Sequence, residues 1–194
     1  MPKNLRRVTG YGDLHFITFC CYRRRALLGT VHSRNLAARI LGELRTRYRF
    51  ALLGYVRMPD HVHLLLSESG LVAPAKIVQI FKQRLSRLMR GKKRKLRRQP
   101  TLLFCESADG LRRFWQRRYY DFSVHTFAKM REKIYHMHGN PVRTKLVQHP
   151  GDWPWSSWCY YYRGEGLLRI DRWGEPLEES RPTEKPTLCQ HRKG

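Results

Sequence analysis

Met58-Pro59-Asp60-His61-Val62-His63-Leu64-Leu65-Leu66 is the stretch on which the reading of this chain turns. Pro59-Asp60 marks a turn, and the Val/Leu run behind it has the length and composition of a buried strand. Alternate residues of a strand leave the same face, about 6.5–7 Å apart along the chain. His61 and His63 therefore point together, while Val62 and Leu64 point the other way. Two neutral imidazoles converging from a rigid strand make half of a metal site. The plain alternative is one hydrogen-bonded core histidine beside another at a strand edge. Asp60 belongs to the turn and is given no role.

Working outward, Phe50 to Met58 reads as a strand whose link to the histidine strand is too short for a crossover. The two should form an antiparallel hairpin. Leu14 to Cys21 (LHFITFCC) is dense in β-branched and aromatic residues and reads as the first strand. Between them, Ser33 is the expected N-cap of a helix to about Tyr48, with Leu36, Ala37, Ile40, Leu41 and Leu44 on one stripe. Pro74 opens a second helix, with Ile77, Ile80, Phe81, Leu85, Leu88 and Met89 at helical spacing and a break expected at Gly91. Phe114 to Phe122 reads as a fourth strand. A third helix fits His125 to about Gly139, with Phe127, Met130, Ile134 and either Met137 or His138 on one stripe, ended by Asn140-Pro141. Leu167 to Trp173 is a candidate edge strand.

This order matches the split β-α-β, ferredoxin-like plan: an α+β fold with one four-stranded antiparallel sheet, helices on one face, and an added C-terminal helix. Strands one and three are central neighbours in that plan, which sets the histidines mid-sheet. The expected organisation is a basic arm over residues 1–12, one domain over 13–165, and an extension over 166–194. The end of that extension is rich in Pro, Glu, Thr and Lys and reads as a disordered tail.

The 194 residues carry 39 Lys+Arg against 15 Asp+Glu, a net charge of +24. Such an excess collects polyanions, with nucleic acid the first candidate and anionic membrane the second. The aromatics interleaved with it suit a nucleic-acid groove. Phosphate contacts are expected from Arg23, Arg24 and Arg25, from Lys92, Lys93, Arg94, Lys95, Arg97 and Arg98, and from Arg117 and Arg118. Among the large aromatics of Asp152 to Tyr162, core packing explains most, and one or two could stack on unpaired bases. No apolar run approaches the roughly 18–20 residues of a membrane span. Five cysteines without a C-x-x-C pair argue against a disulfide framework, so a reduced, cytoplasmic protein is expected. A metal on His61 and His63 beside a polycationic surface suggests phosphodiester chemistry. A histidine-triad hydrolase would need another histidine at position 65, which is Leu.

Five pieces in order, HFITF with its basic run, YVRMPDHVHLLL, FWQRRYYDF, HGNPVRTKLV and DWPWSSW, resemble the REP-associated tyrosine transposases. These are single-tyrosine transposases of the HUH class (His-hydrophobic-His). The likeness spans roughly residues 11–165. It implies a ferredoxin-like domain that cuts and rejoins single-stranded, often hairpin, DNA through a covalent 5′-phosphotyrosine, with a divalent metal, Mg²⁺ or Mn²⁺. By the same resemblance His61 and His63 match the metal pair and Asn140 a third ligand. The tyrosine usual for the family, four residues before that asparagine, is His136 here, and Tyr135 stands one residue earlier. A helical step of about 100° separates the two directions. Three arrangements accommodate this: a one-residue shift that restores Tyr135, a degenerate DNA binder, or His136 itself as nucleophile or metal ligand. RNA binding on the sheet face is a further alternative, and the protein could act as a monomer or a homodimer.

Overall fold

The computed structural model describes residues 13–96 and 113–171. Strand β1 (Leu14–Cys20) lies between β3 (His61–Ser67) and β4 (Tyr120–Val124), and β2 (Leu52–Arg57) pairs with the outer side of β3. The sheet order is β2-β3-β1-β4, with every pairing antiparallel. This is the expected ferredoxin-like arrangement, and Thr18 faces His63 across β1 and β3 while Cys20 faces His61.

The period-two alternation divides the core. Ile17, Phe19, Val62, Leu64 and Leu66 face helices α1 (Val31–Tyr48) and α2 (Pro74–Leu96). Leu14, Phe16, Leu65 and Val124 face helix α3 (Phe127–His138), which contributes Met130, Ile134 and Met137. His61 and His63 leave β3 on the α3 side, as residues alternating with the helix-facing valine and leucine must. A short helix α4 (Asn140–Arg143) follows α3, and α5 (Trp158–Arg163) is the last. Trp155 and Ser157 run along the outer edge of β2, through Arg57 N–H to Trp155 C=O at 2.9 Å and Ser157 N–H to Tyr55 C=O at 2.9 Å. The aromatic segment thus covers an edge that would otherwise expose unpaired backbone groups.

Several boundaries differ from expectation. The cap of α1 is Thr30, whose side chain accepts from Ser33 N–H at 3.1 Å; Ser33 instead returns its hydroxyl to Thr30 C=O at 2.7 Å. Helix α2 passes through Gly91 to Leu96, because the good helix formers around it outweigh a glycine penalty of about 1 kcal/mol. The continuous ladder of the fourth strand begins only at Tyr120; before it Trp115 makes a single bridge to Cys21, packs against Phe19 and is anchored by its indole N–H to Lys82 C=O at 2.9 Å. The described part of the expected edge strand, residues 167–171, forms no strand. It nevertheless stays on the sheet: Asp171 exchanges bonds with Leu52, and Ile170 is buried in the core past the expected boundary at 165. Both Met137 and His138 are buried. The basic arm, Arg97, Arg98 and the extension after residue 171 lie outside the described residues.

Candidate metal centre

His61 and His63 are 4% and 5% exposed, and their Nε2 atoms stand 3.1 Å apart. Each ring is held from behind. His61 Nδ1 lies 2.6 Å from Asp60 Oδ1, and His63 Nδ1 lies 2.6 Å from the Thr18 hydroxyl. With Nδ1–H donating to the Asp60 carboxylate, His61 keeps its Nε2 lone pair, and the Thr18 contact allows the same tautomer at His63. Burial first, then the charges of His61, His136, Arg143 and Arg24, push the His63 pKa well below the ordinary histidine value, so that ring is neutral at pH 7.

Asp60 is therefore the residue that sequence reading passed over. The hydrophobic run hid it, since a turn carboxylate next to a histidine has no periodicity to mark it. Burial alone would raise its pKa; the hydrogen bond and charge of His61, with Arg24, bring it below the usual carboxylate value. Arg24 Nε sits 2.9 Å from Asp60 Oδ2, and Arg24 also donates to Cys20 Sγ at 3.0 Å. All three arginines after β1 are exposed, and Arg24 is the one whose guanidinium backs the site.

The third donor arrives from the far side. Asn140 is buried at the start of α4, and its amide lies 2.7 Å from His63 Nε2 and 3.3 Å from His61 Nε2. Which amide atom faces the rings is an assignment, and a half-turn presents Oδ1 instead. His138 fixes this end of α3: its Nε2 is 2.9 Å from Ser157 Oγ, which in turn accepts from Tyr55 N–H at 3.1 Å. Burial lowers the His138 pKa to about 4, so the clamp works with a neutral ring.

These residues fit a divalent ion. Donor atoms at right angles around a metal with bonds near 2.1 Å stand about 3 Å from one another, the spacing found among these three side chains. Two imidazole lone pairs aimed at each other also repel unless a proton or cation lies between them. Two imidazoles and an amide make a donor set without a carboxylate, so most coordination positions would fall to phosphate oxygens or water.

Helix α3 runs without interruption from Phe127 to His138. Lys133, His136 and Asn140 follow one another at i, i+3 and i+7, along one side. His136 meets His63 edge-on at 5.7 Å between ring centres and Phe16 at 6.1 Å, and Lys133 Nζ lies over Phe16 and Phe122 at 5.3 and 4.7 Å. Tyr135 is one step round the helix, 56% exposed, on the stripe of Arg131, whose guanidinium is 6.0 Å from its ring. No backbone shift restores Tyr135 to the histidine side. Arg117 and Arg118 are exposed just before β4; Lys92, Lys93, Arg94 and Lys95 fall in the last turns of α2. No helix among the described residues is long and apolar enough to cross a membrane.

A family model described as transposase IS200 like matches residues 11–135. No curated protein matches the chain. The structure of a REP-associated tyrosine transposase bound to a REP hairpin superposes with a TM-score of 0.63 at 18% identity, over 97% of this chain and 100% of that one. At that identity the likeness is one of fold. A 1.90 Å crystal structure of a protein from Deinococcus radiodurans R1 gives 0.46 at 19% identity, over 69% of this chain and 95% of that one.

Proposed function

Because this chain belongs to the IS200-like transposase family, we propose that it acts on single-stranded, hairpin-forming DNA, cutting and rejoining the strand as a REP-associated tyrosine transposase does. The convergence of His61, His63 and Asn140 within 3.3 Å of one another carries this reading. These three residues would hold Mg²⁺ or Mn²⁺, which when bound supplies polarisation of a phosphoryl oxygen and a counter-charge for the leaving oxygen. Asp60 and Thr18 keep the two rings aimed. Arg23, Arg25, Arg117, Arg118 and the basic run from Lys92 to Arg98 draw in the backbone without reading sequence.

In the covalent step the Tyr135 phenol oxygen bonds to phosphorus, the bond from phosphorus to the 3′ oxygen breaks, and the phenol proton ends on the released 3′-OH. Reversal by a 3′-OH rejoins the strand. The exposed position of Tyr135 supports a second reading, in which the chain grips hairpin DNA but does not cut it.

A denaturing gel after incubation with labelled hairpins from repeats flanking its own gene, in Mn²⁺, separates the two. An adduct lost in Tyr135→Phe establishes the phosphotyrosine route. An adduct that survives Tyr135→Phe and disappears in His136→Ala moves the nucleophile to histidine. Tight, salt-sensitive binding with no adduct leaves the binding function alone. Equal affinity for RNA of the same sequence would refute DNA as the substrate.

A further inference from the structure

A second recess lies beyond the end of β1, away from the histidine pair. It encloses about 240 Å³ and is lined by Tyr22, Arg23, Arg113, Trp115, Gln116 and Arg117. That volume is below the range of drug-sized ligand pockets and suits one small planar group. Trp115 forms a rigid wall: its indole N–H is bonded to Lys82, its ring packs on Phe19 at 5.2 Å, and its backbone bridges Cys21. Tyr22 forms a second aromatic surface, with the Arg23 and Arg113 guanidinium groups 5.5 and 6.0 Å from its ring. The lining therefore holds two aromatic rings, three guanidinium groups, one amide and no carboxylate. Asp60, the acid on the adjoining turn, is already engaged by Arg24 and His61.

Rings that stack and cations that bind phosphate, in a recess of this size, are the chemistry of an unpaired nucleotide. Its position agrees. Cys20 is the register partner of His61, and Cys21 N–H donates to Asp60 C=O at 2.7 Å, so Tyr22 starts two residues past the histidine row. We propose that this recess holds one unpaired base of the single-stranded flank beside the DNA hairpin, stacked on Tyr22 over a floor closed by the buried Trp115, with its phosphates on Arg23, Arg113 and Arg117. The proposal rests on the hairpin-DNA reading above and adds to it a site that fixes the strand's register relative to the histidine pair.

The test is an abasic scan without metal, so that cleavage plays no part. Affinity is measured by fluorescence anisotropy for a hairpin whose flank carries an abasic site at each position in turn. One position should weaken wild-type binding about five- to 150-fold, the value of one stacked base. That same substitution should cost Tyr22→Ala nothing further, and Tyr22→Trp should recover the penalty. Arg113→Gln, which leaves both rings in place, should keep the positional penalty and lower the slope of log affinity against log salt by about 0.7, one phosphate contact on a single strand. Hairpin binding with equal abasic losses in wild type and Tyr22→Ala, or with no loss at any position, would overturn the recess and leave the hairpin reading standing. Absence of binding to every hairpin would overturn both.

Discussion

Asp60 offers a direct test of how the histidine pair is aimed. Its Oδ1 is 2.6 Å from His61 Nδ1 and its Oδ2 is 2.9 Å from Arg24 Nε. Asp60→Asn keeps an acceptor oxygen but removes the charge. A hydrogen bond to a charged group contributes about 1.5–3 kcal/mol against about 1 for a neutral one, so this variant should lose about 0.5–2 kcal/mol of ring positioning. Asp60→Ala removes the acceptor altogether, and outer partners of metal-holding histidines are typically worth about 10–100-fold in metal affinity. The Arg24 contact adds little, because its side chain is 57% exposed and such pairs give about 0–1 kcal/mol. The carboxyl pKa is depressed in the fold, so its contribution is present above the unfolded value of about 3.9 and lost as pH falls through the folded one. At pH 7 the full effect is therefore on view. Titration calorimetry with Mn²⁺ should give affinities in the order wild type, Asp60→Asn, Asp60→Ala. Without metal, ¹⁵N shifts should show His61 protonated at Nδ1 in the wild type and a tautomer mixture in Asp60→Ala. Mn²⁺ affinity within about twofold of wild type in Asp60→Ala, with Nδ1 still protonated, would refute the reasoning.

Three other outcomes are expected. Buried His15 lies 2.9 Å from Asp121 and 3.4 Å from Glu68; burial works against its charge, but the bonds and charges of the two acids outweigh it and raise its pKa. Its stabilisation should be complete below about pH 6.5 and fade as pH rises through the raised folded value. His15→Leu should cost about 3–5 kcal/mol at pH 6, or about 6–20 °C in Tm, and a gap to wild type that stays constant up to pH 9.5 would contradict this. At Gly54, on the irregular stretch of β2, an added Cβ would meet Met137 Cε at 2.6 Å. Gly54→Ala should lose about 1–3 kcal/mol in urea denaturation, whereas a loss near zero would mean that Met137 swings clear. Finally, His136→Tyr places a phenol on the side of α3 shared with Lys133 and Asn140. It should raise the yield of covalent DNA adduct above wild type in the Mn²⁺ gel assay, and an unchanged yield would show that reach alone does not limit the step.

Much of this molecule follows from local pattern. Apolar residues at period two in β1 and β3 fix which side chains share a face, so the pairing of His61 with His63 on one side and Val62 with Leu64 on the other is legible before any fold is known. Stripes at helical spacing in α1, α2 and α3 follow largely from geometry, as does the step of about 100° between Tyr135 and His136. Leu88 and Phe127, which spacing placed on those stripes, are exposed, because each lies toward a helix end beyond the reach of the core. The element order then implies the sheet order through few compact alternatives. Tertiary structure decided what periodicity does not carry. The partners that fill His63 Nδ1 and His61 Nδ1, the arrival of Asn140 opposite both rings, and the His138–Ser157 clamp each depend on strand register or on a helix docking across the sheet. Trp115 belongs to the same group: propensity read it as strand, and the fold leaves it a single bridge to Cys21, with its ring packed on Phe19 and forming a wall of the recess. Local sequence sets the direction of a side chain from its backbone; only the assembled chain sets what that side chain meets.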